Sequence, residues 1–381
     1  MSQDKPARTV RILHCHSTFS AGGKELRSVE LMNAFGSSIE HTIISGEPDQ
    51  YGAAQHIAKR IKTRYPRNFP ALKGAPTPWR LASVAKAIQP FDLVLTYNWG
   101  AMDVAMAHTA FSKALKLPPL IHHEDGFNED EATELKGTRN WYRKIALGRS
   151  SGLVVPSRVL ETIALEQWEQ PRGRVIRIPN GIDTKAFSQR PKPERLRVMK
   201  HEGEKWIGTL AGLRPVKQLD HLVRALRELP EEWNLVILGE GPERERILET
   251  AVEFDLSHRV HLPGKVNDPA SVIGLFDIFA LSSQSEQFPL SVVEAMAAGL
   301  PVVAPDVGDV RRIVAEPNQP FIAESSAPEA LAQKMTELLD TPRSLREVGE
   351  ANRRKATAQF DRDRMVDRYR ELYESALGHQ F

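Results

Sequence analysis

Residues 277–305, DIFALSSQSEQFPLSVVEAMAAGLPVVAP, contain in one stretch a strand, a loop, a helix and a second strand. DIFALS at 277–282 and PVVAP at 301–305 are short apolar runs, while LSVVEAMAAG between them has helical periodicity and ends on Gly299 before Pro301. Pro289 suits the first turn of that helix. A strand, a helix and a strand in succession imply a parallel pair with a crossover, the repeating unit of a doubly wound sheet.

The same alternation extends in both directions. KWIGTL at 205–210, NLVILG at 234–239 and RVHLPG at 259–264 precede it, each followed by a helical pattern. An earlier series runs VRILH 10–14, HTIIS 41–45, DLVLT 92–96, PLIHH 119–123, GLVVPS 152–157 and RVIRIP 174–179. The chain's 381 residues suit two such α/β domains. We place the first at 1–185 and the second at 186–361, with the polar stretch KAFSQRPKPERLRVMKHEGE as linker and a last helix, about 362–381, returning to the first domain.

The composition, 41% hydrophobic and 26% charged, is that of a globular protein. The opening MSQDKPARTV lacks the apolar core of a signal peptide, and no window is apolar enough to span a bilayer, so a cytoplasmic location is expected. Cys15 is the sole cysteine, which excludes an internal disulfide. Between Asp49 and Asp92 lie eight basic residues, Lys59, Arg60, Lys62, Arg64, Arg67, Lys73, Arg80 and Lys86, with no acid among them and with Tyr65, Phe69 and Trp79 interspersed. That pattern fits either a solvated basic face or peripheral contact with an anionic membrane surface. No nucleic-acid partner is expected.

Glu294 is the only charged residue from Phe288 to Pro301, and a carboxylate on a buried helix needs a polar partner. Ribose hydroxyls would serve, and Phe288, Pro289 and Leu290 frame a helix N-terminus suited to phosphate. Arg214 and Lys217, on the loop after KWIGTL, suit a diphosphate. Gly22 and Gly23 permit close backbone approach before the first helix, yet GxGxxG and the P-loop pattern are both absent. After PLIHH come His122, His123, Glu124, Asp125 and Asn128, at a strand end where catalytic groups gather. His122 and His123 point to opposite faces, which disfavours a shared metal.

In this order the pieces resemble glycosyltransferase family 4, retaining enzymes of the GT-B architecture with two facing Rossmann-like domains. The most specific element is E-x7-E, Glu286 to Glu294, supported by IPNGID 178–183, LRPVK 213–217, GEGP 239–242 and Gly22–Gly23. The resemblance implies a sugar moved from a UDP- or GDP-sugar, without metal or other cofactor. Glu294 would bind the donor ribose, Glu286 the sugar near its 3- and 4-hydroxyls, and Arg214 with Lys217 the diphosphate. Gly22, Gly23, Gly239 and the backbone at 288–290 would approach the donor, and Val266 would line the base.

Either His123 or Asp125 would face the donor sugar, depending on register. His16, Lys24 and Arg27 are candidates for the acceptor side, the acceptor being a lipid-linked or cell-envelope glycan or glycolipid at the inner membrane face. A nucleotide-sugar epimerase or a non-catalytic nucleotide-binding module would use the same architecture. An epimerase would form its product without an acceptor.

Overall fold

The computed structural model describes residues 9–127, 129–131, 134–340 and 344–381. The chain divides into two compact units, 1–178 with 366–381 and 179–365. The first holds strands β1 (Val10–His16), β2 (Ile39–Ser45), β3 (Lys62–Arg64), β4 (Leu93–Tyr97), β5 (Leu120–His123), β6 (Gly152–Val155) and β7 (Val175–Arg177), ordered β3-β2-β1-β4-β5-β6-β7. The second holds β8 (Lys205–Leu210), β9 (Trp233–Leu238), β10 (Val260–Gly264), β11 (Ile278–Ala280), β12 (Val302–Pro305) and β13 (Ile322–Ala323), ordered β10-β9-β8-β11-β12-β13. Every pair is parallel.

Both sheets are buried through their central strands, as parallel sheets covered on two faces must be. All of LVLTY in β4 and all of WNLVIL in β9 are buried. β3 and β13 escape the sequence reading because KTR is a polar edge strand and IA only two residues. Among the described residues no helix is long and apolar enough to cross a membrane.

The stretch read as a linker is docked instead. Leu196 is buried in the second unit's core, the Lys192 amide donates to Ser271, and Arg195 and Lys200 pair with Asp268 and Asp277 at 2.6 Å each. The chain changes unit at Ile178–Pro179, ahead of that stretch. Just beyond, Ile182 pairs with Asp361; Gly181 lies so close to the returning chain that a Cβ would meet the Asp361 oxygen at 2.9 Å.

β1 presents His14 and His16 to one face, two residues apart, with Tyr97, His41 and His123 beside them. His14 bonds His41 at 3.0 Å and the Tyr97 hydroxyl at 3.2 Å; His123 bonds the Tyr373 hydroxyl at 2.9 Å and so fastens the last helix to the first unit. Burial is the largest cause holding all four imidazoles below their ordinary pKa of 6.5, His41 at about 4.

An unfolded chain takes up protons on these groups below pH 6.5 while the folded one does not. Stability should therefore fall as pH drops below about 6.5, where the unfolded histidines gain protons that the buried ones do not. Urea midpoints at pH 7.5 and 5.5 measure this, and a lower midpoint at pH 5.5 is expected. A flat profile would contradict it.

Candidate functional site

In the second unit two loops leave adjacent strands and are joined. The loop after β8 carries Arg214 and Lys217; the loop after β11 carries Ser283 to Phe288. The Gln284 amide donates to the Val216 carbonyl at 2.9 Å, and the Ser282 hydroxyl to the Lys217 carbonyl at 2.8 Å. Across this seam the Lys217 ammonium donates to Glu286 Oε1 at 2.5 Å, and the Ser283 hydroxyl donates to the same oxygen at 2.7 Å. Both charged side chains are mostly buried, so the pair is held in one geometry; Lys217 is no freely mobile charge. Arg214 nearby is exposed and has no ion pair among the described residues.

Two glycines bring the next loop against this one. A Cβ on Gly239 would stand 1.8 Å from the Ala211 carbonyl oxygen, and one on Gly241 2.4 Å from that of Leu213, both at φ near +157°. Gly239 is buried and its N–H is engaged by the Gly264 carbonyl at 3.1 Å. It therefore positions the Arg214 loop and offers a ligand no free amide. Val266 packs against the core beside the E-x7-E helix.

That helix runs Leu290–Ala297, so Pro289 is its N-cap, one position outside the first turn in which the sequence reading placed it. Its φ of −70° suits either place, and as cap its missing N–H removes no helix bond. Phe288 is buried edge-on to Phe360, 5.6 Å between ring centres, and leaves only its backbone for contact. One turn into the helix, Glu294 has no hydrogen bond or ion pair among the described residues, and burial alone pushes its carboxyl up from 4.5 to about 7. Beside Glu286 the side-chain oxygen of Gln287 is fully buried and has no partner among the described residues. Ser283 and Gln287 were missed from sequence; the hydroxyl- and amide-rich run SSQSEQ was the available signal.

The first unit's candidates divide differently. Gly22 caps the helix Gly23–Phe35, and a Cβ on Gly23 would meet nothing within 4 Å, so this backbone is open. Lys24 lies by Glu25 at 2.8 Å, partly exposed. His16 is fully buried, stacked 4.0 Å from Tyr97 with neither ring nitrogen bonded. Arg27 is buried, grips Asp125 through both terminal nitrogens and lies over the Tyr369 ring at 5.5 Å.

The acceptor expectation for His16 and Arg27 therefore meets a correction: both are interior groups, and only Lys24 approaches the surface. His123 is also corrected. It is buried with both ring nitrogens engaged, by the Thr96 carbonyl and Tyr373, and presents no atom to a ligand. Asp125 keeps slight exposure. Of the acids after β5, Glu131 takes two bonds from buried Arg143 at 3.1 and 3.0 Å, and Glu124 lies 3.5 Å from it. These acids serve a structural ion cluster; Asn128 lies outside the described residues.

Comparison with known proteins agrees with this geometry. A family model described as Glycosyltransferase Family 4 matches residues 21–186, and one described as Glycosyl transferases group 1 matches 192–355. The chain is 26% identical over 211 residues to N-acetyl-alpha-D-glucosaminyl L-malate synthase of Bacillus anthracis, a match spanning 55% of this chain and 55% of that relative. It is 28% identical over 275 residues to the GDP-mannose-dependent alpha-mannosyltransferase of Mycolicibacterium smegmatis, 68% of each chain. The crystal structure of Anabaena HepE in complex with UDP superposes with TM-score 0.80 at 20% identity, covering 96% of this chain and 100% of that one, so the two share the GT-B fold.

A desolvated carboxyl at pKa about 7 weakens folding increasingly between pH 4.5 and 7, because the unfolded chain ionises first. Allowing for the water that reaches it, the penalty at pH 8 is on the order of 2 kcal/mol. Glu294→Gln should therefore raise the melting temperature at pH 8 and leave it nearly unchanged at pH 5, as differential scanning calorimetry would show. Equal shifts at both pH values would refute an unpartnered carboxylate.

Proposed function

The chain belongs to glycosyltransferase family 4, and on that premise we propose that it transfers a hexose from a UDP- or GDP-sugar to a lipid-linked or cell-envelope glycan or glycolipid, with retention at the anomeric carbon. One observation carries the donor half: Glu294 is a half-buried, desolvated carboxylate with no hydrogen-bond partner among the described residues, one turn inside a helix whose N-terminus adjoins the fixed Lys217–Glu286 pair. Two ribose hydroxyls donating to Glu294 would supply the missing bonds. The diphosphate would then fall to the helix N-terminus, Lys217 and exposed Arg214. Glu286, with one oxygen held by Lys217 and Ser283, has its other oxygen for a sugar hydroxyl.

In the proposed step the bond from the anomeric carbon to the β-phosphate oxygen breaks and its electron pair stays on the phosphate. The acceptor oxygen bonds to the same carbon from the same face, and its proton passes to the departing phosphate. Lys217 and Arg214 act where that negative charge grows. No metal or other cofactor enters this reading. The UDP in the HepE complex and the GDP-mannose in the name of the mycobacterial relative support a nucleotide-sugar donor of either base.

A membrane-surface acceptor is supported by Trp79, 84% exposed beside the basic stretch, in which Lys59, Lys62, Arg67 and Lys86 are also exposed. Arg64, Lys73 and Arg80 of that stretch are instead engaged by Glu40, Glu47 and Asp103, and Phe69 packs inward.

Incubating the protein with UDP- and GDP-hexoses and a panel of glycan and lipid-linked acceptors tests this proposal, with the product linkage assigned by NMR. An α-linked product from an α-linked donor is expected; an inverted product, or an altered nucleotide sugar formed without acceptor, would contradict it. Lys217→Ala should lower kcat by about tenfold or more while the protein still melts cooperatively. Near-normal turnover would remove Lys217 from its assigned role.

A further inference from the structure

The turn that leaves β12, DVGD at 306–309, contains none of the residues singled out from the sequence. β12 pairs with β11, so this turn comes off the same edge of the sheet as the loop that carries Glu286. The two are in contact. The Asp309 amide donates to the Gln287 carbonyl at 3.3 Å. Gly308 stands at φ 55°, and a Cβ on it would lie 2.2 Å from the Glu286 carbonyl oxygen and 2.9 Å from that of Gln287. The conformation favours glycine, and the space admits nothing larger.

The turn is anchored in its own right. Arg311 donates to Asp306 at 2.6 Å and to the Gln319 and Ile322 carbonyls at 3.2 Å each, while the Asp306 amide donates to the carbonyl of Ala323 in β13 at 2.8 Å. Gly308 therefore meets the Glu286 backbone as part of a tied turn.

Glu286 is thus fixed twice. Its carbonyl packs on Gly308, and its carboxylate is held through Oε1 by Lys217 and Ser283. Oε2 has no partner among the described residues. A carboxylate is planar, so once the backbone and one oxygen are set the second oxygen has little freedom. An acceptor aimed in advance gives up no conformational freedom when a ligand hydroxyl arrives. Aim matters at this scale, since a displacement of about 1 Å can cost about a hundredfold in rate.

We propose that Gly308 is a positioning residue for the donor sugar, acting through Glu286: the turn at 306–309 sets the Glu286 backbone and with it the direction of Oε2. The proposal rests on the reading of Glu286 as the group that takes a sugar hydroxyl, and adds to it a loop to which that reading assigns no part.

Isothermal titration calorimetry on the full chain tests it, with UDP-glucose and GDP-mannose titrated beside UDP and GDP, because the difference between a sugar nucleotide and its diphosphate isolates the sugar. Gly308→Ala should weaken the sugar nucleotide by about tenfold or more and the matching diphosphate by less than about twofold. Arg311→Ala removes a partly exposed side chain and unties the turn without crowding it. The same split is expected there, at about threefold or more, and this variant decides the case if Gly308→Ala fails to melt cooperatively. In a Glu286→Ala background neither substitution should cost anything further, a result that a merely structural role would not produce. Losses shared equally by the diphosphate, no sugar-specific loss in either variant, or losses that persist without Glu286 would overturn the assignment. Failure of the unmodified chain to bind any of these nucleotides would overturn the donor reading and the assignment with it, so the two failures are distinguishable.

Discussion

In a parallel sheet every strand delivers its chain to the same edge, so the loops that leave the strands gather on one side while the returning helices cover the faces. Both units obey this constraint. In the second, β8 and β11 are neighbours, and so the loop carrying Lys217 meets the loop carrying Glu286 although 69 positions separate the two residues. In the first, β1 and β4 are neighbours, and Ser17 meets Gly100. Each contact is a consequence of strand order.

Within this frame, side chains of similar type have opposite fates. Arg143 and Glu131 are buried and mutually bonded, with Arg143 enclosed by Trp99, Phe127 and Trp168, each 5.1 to 5.2 Å from its guanidinium carbon. Arg27 and Asp125 are likewise matched. Glu294 is not, and its raised pKa expresses a desolvation that nothing within the protein offsets. Matched buried charge fastens an element in place. Unmatched, desolvated carboxylates of that kind cluster at functional sites.

Much of the fold could be read from sequence because a central parallel strand is a continuous apolar run. DLVLT and NLVILG can hardly be anything else, whereas KTR at the edge carries no such pattern. The stretch KAFSQRPKPERLRVMKHEGE reads as a linker because its apolar anchors, Phe187, Leu196 and Val198, are too few and too irregularly spaced to register as periodicity, and its other contacts are ionic. Glu286 and Glu294 stood out as carboxylates in an otherwise apolar segment. Nothing in the local sequence around His16, Arg27 and His123 announces their burial. Their burial depends on Tyr97, Tyr369, Tyr373 and Asp125, partners remote in sequence that only the folded sheet supplies.

If Glu294 awaits the donor ribose, binding must return its pKa towards the ordinary carboxylate range, because hydrogen bonds to the charged form favour it. Isothermal titration calorimetry at pH 7 with UDP-glucose and GDP-mannose, repeated in buffers of different ionisation enthalpy, counts the protons exchanged. Neither donor's diphosphate titrates near that pH. The account predicts release of about half a proton per donor bound, abolished in Glu294→Gln. A binding heat that does not depend on the buffer, or proton release that persists in the variant, would contradict it.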